Sequence, residues 1–303
     1  MENKVVLPSK IQICYETFGE VENPAVLLIM GNSCDAVMWP DQFCHALSER
    51  GLFVIRFDQR DTGFSTWIDF SEEPYTLMDM VQDILGLLDT LKIEKAHIVG
   101  YSTGGLIAQL LAIHFPKRVL SLVLMMTSTD LTIKNDAFMG LDMSKAKLPP
   151  PKPEFIKGVF ALHAKPQTNL EEKISFLVET FRLANGSKAG YDAGFFSKLF
   201  EKSLKRVDEK LRKGGHESNH ALATSATPVI RNAEFAKIAV PTLVVSGGED
   251  PIFPPAHSEA ICKVIKKSKL ILIEKMGHVL NPIFFDQIVE SMTQHIISSS
   301  LRN

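Results

Sequence analysis

Six short apolar runs constrain this chain more than any other feature: residues 25–30, 52–57, 96–100, 120–126, 241–246 and 270–274, dominated by Val, Ile and Leu. A strand with one wet face alternates polar and apolar residues. Runs that stay apolar need cover on both faces. That cover is written between them. Helical patterns occupy 41–50, 77–91 and 103–115, the last stopped by Pro116. In the second, Leu77, Met80, Val81, Ile84, Leu87, Leu88 and Leu91 fall at helical spacing. Strand and helix in alternation predict an α/β fold with a mostly parallel, doubly wound sheet. The short helix after Gly100 leads directly to the next run, which suits a right-handed crossover. Residues 11–18 alternate more and are expected to form an antiparallel edge strand.

The alternation stops between 129 and 232. This stretch holds a proline cluster at 149–153 and amphipathic helical segments, 170–183 among them. It is about 100 residues long, too long for a structureless loop in a compact domain. It therefore reads as a helical insertion. The expected organisation is a core in two parts, 1–128 and 233–303, with the insertion 129–232 between them.

Composition excludes several classes. The chain carries 33 basic and 35 acidic side chains among 303 residues, for a net charge of -2, and 45% of its residues are hydrophobic. Disorder requires low hydrophobicity with high net charge, and a nucleic-acid binder requires a basic face. The longest apolar runs have six or seven residues, whereas a membrane span needs about 20. The N-terminal residues lack a charged stretch leading into an apolar one. The expectation is a cytoplasmic protein without nucleic-acid or membrane partners, with a homodimer left open. Cys14, Cys34, Cys44 and Cys262 form no CxxC pair, which argues against a disulfide scaffold and a metal site. Most read as buried apolar cysteines; Cys34 lies in a loop of functional interest and has no assigned role. His216 and His220 lie four apart and lack a third ligand, which favours a solvent-facing pair over a metal site.

The chemistry centres on Gly100-Tyr101-Ser102-Thr103-Gly104-Gly105, after an expected strand and before an expected helix. In that context G-x-S-x-G makes a tight elbow that lifts the serine hydroxyl above the sheet, and Gly100 and Gly104 allow strand and helix to approach. A serine needs a base. The run 241–246 is followed by Asp250, and the run 270–274 by His278. Ser102, Asp250, His278 is the chain order such an elbow calls for. His278 would take the serine proton and Asp250 would orient the imidazole. Glu249 is the rival acid. His97, within a strand, and His114, near a helix end, read as packing or surface residues. The developing oxyanion needs two backbone N–H donors. Thr103 is expected to supply one and Asn32, after the first buried run, the other; Ser33 is the alternative to Asn32.

Together with Gly100–Gly105, Asp250 and His278, the stretches 30–32, 39–43, 51–65, 240–244, 249–252 and 276–278 carry a resemblance. They resemble the alpha/beta-hydrolase superfamily, and within it the aclacinomycin methylesterase group of small-molecule esterases. The resemblance covers about 15–128 and 234–290 and carries almost nothing in the insertion. It implies the alpha/beta-hydrolase fold with a helical cap inserted after the sixth strand, whose walls set specificity. Phe155, Phe160, Phe176, Phe181, Phe195, Phe196 and Phe200 are the candidates for an apolar pocket, only a few of them lining it. Met30-Gly31 stands where many relatives have His-Gly, and Thr103 where many have Met or Leu. Arg60-Asp61-Thr62-Gly63 replaces a commoner Arg-Gly-x-Gly. It reads as a structural loop in which Arg56, Asp58 and Arg60 make ion pairs and Asp61 has no catalytic part.

The expected function is hydrolysis of a carboxylic ester of a small, fairly apolar molecule, through an acyl-enzyme and without metal or organic cofactor. Lactone opening, carbon–carbon cleavage, proline iminopeptidase action and peracid formation stay open on the same fold, as does a non-catalytic receptor.

Overall fold

The computed structural model describes residues 2–207, 215–216 and 218–300. The chain begins with β1 (Asn3–Val6), β2 (Gln12–Phe18), β3 (Ala25–Ile29), α1 (Asp41–Ser48) and β4 (Phe53–Phe57). It continues with α2 (Leu77–Thr90), β5 (Ala96–Tyr101), α3 (Thr103–His114) and β6 (Val119–Met125). Helices α4 (Thr132–Phe138), α5 (Pro153–His163), α6 (Leu170–Ala184), α7 (Ala193–Leu204), α8 (Asn219–Ala226) and α9 (Asn232–Phe235) follow without an intervening strand. β7 (Thr242–Gly247), α10 (Ala256–Val264), β8 (Ser268–Ile273) and α11 (Phe285–Ser300) complete the order.

The strands form one sheet in the order β1-β2-β4-β3-β5-β6-β7-β8. From β4 to β8 every pairing is parallel. β1 and β2 are antiparallel additions at one side. The continuous apolar runs divide between two cores with the two-residue period of a strand. Leu27 and Ile29, Ile55 and Phe57, and Ile98, Leu122 and Val244 face the core built with α2, α3 and α10. Val26, Leu28, Val54, Val99, Val123 and Val245 face the other, built with α1, α11 and helices of the 132–226 stretch. Both faces are covered, which is why the runs do not alternate.

One expectation needs correction. Residues 11–18 do form an antiparallel strand, β2, but it is not the edge. β1 pairs outside it, with Asn3 opposite Tyr15 and Val6 opposite Gln12. β1 has only four residues, none fully buried, so it leaves no apolar signature to read. Short, polar strands of this kind also blunt a sheet edge against further pairing.

Between β6 and β7 the chain is helical among the described residues. Its aromatic side chains form a connected cluster: Phe181 packs on Phe196 and Phe200, and Tyr191 stacks on Phe196 at 4.7 Å. Of the phenylalanines expected around a pocket, Phe155, Phe196 and Phe200 are buried and Phe160 is 53% exposed. No helix among the described residues is long and apolar enough to cross a membrane.

Candidate active site

Ser102 joins β5 to α3 with φ 54° and ψ -121°. A non-glycine residue with such a backbone costs of order 1–3 kcal/mol and persists only where its surroundings over-determine it. Here they do. The Ser102 N–H donates to Met125 O at 2.9 Å, and its carbonyl accepts from Thr127 Oγ1 at 2.6 Å and Gly105 N–H at 2.9 Å. The flanking glycines make this approach possible. A Cβ on Gly100 would run into the Gly104 carbonyl, and one on Gly104 into the carbonyls of Ile29 and Met30.

Two loops at the carboxyl ends of neighbouring strands bring the other groups to this hydroxyl. After β7, Asp250 is almost fully buried. Its Oδ1 accepts from the N–H groups of Ile252 and Phe253, both at 2.8 Å. Its Oδ2 lies 2.8 Å from His278 Nδ1. After β8, His278 turns Nε2 toward Ser102 Oγ at 3.1 Å. An ionised carboxylate can only accept, so Nδ1 carries the ring proton and Nε2 is free to accept from the serine. The ring lies between Tyr101 and Phe253, with centroids 5.5 and 5.6 Å away. Its backbone N–H donates to Ala184 O at 2.7 Å, at the end of α6. Glu249, the rival acid, turns outward to Lys188 Nζ at 2.7 Å.

The loop after β3 abuts the serine. A Cβ on Gly31 would come within 3.1 Å of Ser102 Cβ. In this loop the Cys34 N–H donates to Gly31 O, and the Ser33 N–H donates to His220 Nδ1 at 3.0 Å. The second commitment leaves Asn32, not Ser33, as the candidate donor beside Thr103, whose residue opens α3 and is buried. Burial, with the Asp35 carboxylate as a second cause, pushes the Cys34 thiol up to about 12, so it stays protonated and is no rival nucleophile.

The loop after β4 is held by ion pairs and turn contacts. Arg60 pairs with Asp83 at 2.6 Å, and Arg56 with Glu16 and Asp41. Asp58 meets Arg206 at 2.9 Å. Asp61 accepts from Tyr75 Oη and the Ile68 N–H, both at 2.6 Å, which occupies both its oxygens with structural bonds. His97 is buried between Ser121 and Ser300.

The expectation of a solvent-facing His216 and His220 pair is wrong for its second member. His216 caps the turn at Ser218, but His220 is buried between two core loops. No group of three His, Cys, Asp or Glu among the described residues could hold a metal. Arg206, buried against Asp35 and Asp58, is marked by no local pattern in the sequence. A small cavity of about 30 Å³ beside the site is lined mainly by apolar side chains, including Met30, Tyr101, Phe181, Phe196 and Leu280.

A mostly parallel sheet with an elbow serine after β5, a carboxylate after β7 and a histidine after β8 defines a class of hydrolases. The sequence pattern of the alpha/beta hydrolase fold matches residues 24–282, and the chain belongs to that family. It is 31% identical to the rhodomycin D methylesterase DauP of Streptomyces sp. (strain C5), across 97% of this chain and 98% of that protein. It is 30% identical to the rhodomycin D methylesterase DnrP of Streptomyces peucetius, with the same coverage. Among solved structures, a meta-cleavage product hydrolase of Pseudomonas fluorescens IP01 superposes with a TM-score of 0.74 at 20% identity, over 98% of both chains.

Proposed function

We propose that this chain, a carboxylic ester hydrolase by its family and its methylesterase relatives, cleaves a small, fairly apolar ester through an acyl-enzyme carried by Ser102. The observation that carries this reading is the continuous relay from Ser102 Oγ through His278 to Asp250, at 3.1 and 2.8 Å. As Oγ attacks the ester carbonyl carbon, His278 Nε2 takes its proton. Asp250 keeps the ring in the productive tautomer and stabilises the imidazolium. The N–H groups of Asn32 and Thr103 receive the oxyanion. The tetrahedral intermediate collapses, His278 returns the proton to the departing alcohol, and the acyl group remains on Oγ. Water then attacks the acyl carbon with His278 again as base, releasing the acid and restoring the serine.

In this reading residues 129–232 act as a cap over the serine and set specificity. Support comes from the apolar cavity wall shared between Phe181 and Phe196 of the helical stretch and Met30 and Tyr101 of the core. That cavity holds little more than a water molecule or two, so admitting an ester requires α6 and α7 to shift. The methyl esters processed by the relatives make a methyl ester the first substrate class to try.

The test is Ser102→Ala with p-nitrophenyl acetate and a panel of methyl, ethyl, aryl and lactone esters. Turnover should vanish while circular dichroism and melting stay those of the wild type. Persistent turnover in that variant rejects Ser102 as nucleophile. Fluorophosphonate labelling combined with multiple-turnover release of alcohol separates an enzyme from a receptor that only keeps a reactive serine.

A further inference from the structure

The loop after β3 contains a strained turn with an unusual restraint. Gly31 O accepts from the Cys34 N–H at 3.3 Å, and Ser33, third in this four-residue turn, has φ 58°. Those features describe a type II turn, which wants Gly or Asn at the third position. A serine there is strained, and the less strained alternative is near at hand. Flipping the Asn32–Ser33 peptide converts the turn to type I and returns Ser33 to negative φ.

The flip is opposed from outside the loop. The Ser33 N–H donates to Nδ1 of His220, at 3.0 Å. His220 Nε2 lies 2.7 Å from the carbonyl oxygen of Arg60, in the loop after β4. A backbone N–H can only donate and a carbonyl can only accept. The ring is therefore the neutral tautomer with its proton on Nε2. Its environment agrees with this. The residue is 1% exposed, and burial holds its pKa below the usual histidine value, against an opposing pull from the Arg60 carbonyl and the Asp61 carboxylate. One imidazole on α8 thus ties the helical stretch to two core loops, and one of those loops carries the Asn32 N–H beside Ser102.

We propose that His220 is a positioning residue for the oxyanion site: by accepting from the Ser33 N–H it anchors the Gly31–Cys34 turn, and with it the preceding peptide, whose Asn32 N–H faces the reacting carbonyl oxygen. This rests on the serine-esterase reading above. Losing the acceptor at Nδ1 frees the peptide to flip and displaces the loop from Ser102. The charge that suffers exists only in the transition state, so kcat falls and KM does not. Removing an oxyanion donor outright costs about 10²–10³ in kcat; a displaced donor should cost less, about 10- to 100-fold.

Two near-isosteric replacements separate this role from simple packing. In His220→Asn the side-chain oxygen can stand at the Nδ1 position and accept from Ser33. In His220→Gln the amide reaches the Nε2 position, keeping the bond to Arg60 and losing the one to Ser33. With p-nitrophenyl acetate, H220N should keep kcat within about threefold of wild type. H220Q should lose about 10- to 100-fold at unchanged KM, with a wild-type melting curve. The proposal is overturned if H220N is as slow as H220Q, or if both run at the wild-type rate. Imidazole ¹⁵N spectra of the wild type need no variant. They should show His220 Nδ1 unprotonated and accepting, and a protonated Nδ1 near neutral pH also overturns the proposal. Ser102→Ala is run alongside: turnover that survives it indicts the esterase reading, whereas loss in S102A with equal rates in the two His220 variants indicts only the role given to His220.

Discussion

Asp250 divides its two oxygens between two tasks. Oδ1 is tied to the backbone of Ile252 and Phe253, and only Oδ2 serves the imidazole. Replacing the carboxylate by an amide keeps the shape but cannot satisfy every neighbour. If the amide oxygen stays on the two N–H groups, its NH₂ faces His278 Nδ1, and the ring must move its proton to Nε2. That tautomer cannot accept from Ser102. Asp250→Asn should therefore lower kcat by about 10⁴ with little change in KM, measured on p-nitrophenyl acetate. Glu249→Gln removes a pair with the exposed Lys188 while an amide can still accept from Ser187, and it should leave kcat within twofold, about the scatter expected of surface changes. If instead the Glu249 variant is the crippled one, the assignment of the acid is reversed. Thr103 belongs to the same scale: in the proposed mechanism it contributes only a main-chain N–H, so Thr103→Ala should retain most activity in the same assay.

The elements divide by how much of their structure lies in their own residues. β3 to β8 were legible because each is dominated by Val, Ile, Leu and other apolar residues without strict alternation, and the elbow was legible because its glycines are demanded by close backbone approach. β1 was not, since four residues, three exposed and one half-buried, are too few to show a pattern. The helical stretch after β6 could be recognised as helical but not placed, because its docking depends on single polar residues meeting distant loops. Arg206, just after α7, shows this well. Its guanidinium pairs with Asp35 at 2.8 Å and with Asp58 at 2.9 and 3.0 Å. It also reaches Glu2 at 2.8 Å, and it is 5% exposed. Its partners are 148 and 171 residues away in sequence, a separation no local pattern encodes. Arg206→Met would fill most of the space but strand two buried carboxylates. Breaking a buried pair from one side costs about 3–5 kcal/mol. Urea unfolding should show a loss of that order, and Arg206→Lys, which keeps a charge without the two-pronged geometry, a smaller one. Equal stability in all three proteins would mean the carboxylates are not truly desolvated.

Across the whole molecule, the buried histidines make stability fall as the solution turns acidic. His97, on β5, is fully buried, and burial, with His295 nearby as a second cause, depresses its pKa from 6.5 to about 4. His220, His257 and His295 are also held below the usual value, burial being the largest cause in each. A histidine with a depressed folded-state pKa binds its proton more readily once the chain unfolds. Its effect is absent above the unfolded value, near 6.5, and grows as pH falls toward the folded one. For His97 the full effect, reached near pH 4, is on the order of 3 kcal/mol against the fold. Asp35 acts in the opposite sense. Burial and the neighbouring Asp58 carboxylate raise it to about 6, so its protonation favours the folded state over nearly the same window. Those two roughly cancel; Asp83, also raised by burial, adds to Asp35, and the three further histidines outnumber it on the other side. The melting temperature should therefore fall between pH 6.5 and 4.5, before the surface carboxylates titrate. His97→Gln should flatten that slope and Asp35→Asn should steepen it. A melting temperature that is level or rising over this interval, with unchanged slopes in both variants, would show that these groups are protonated alike in the folded and unfolded chains.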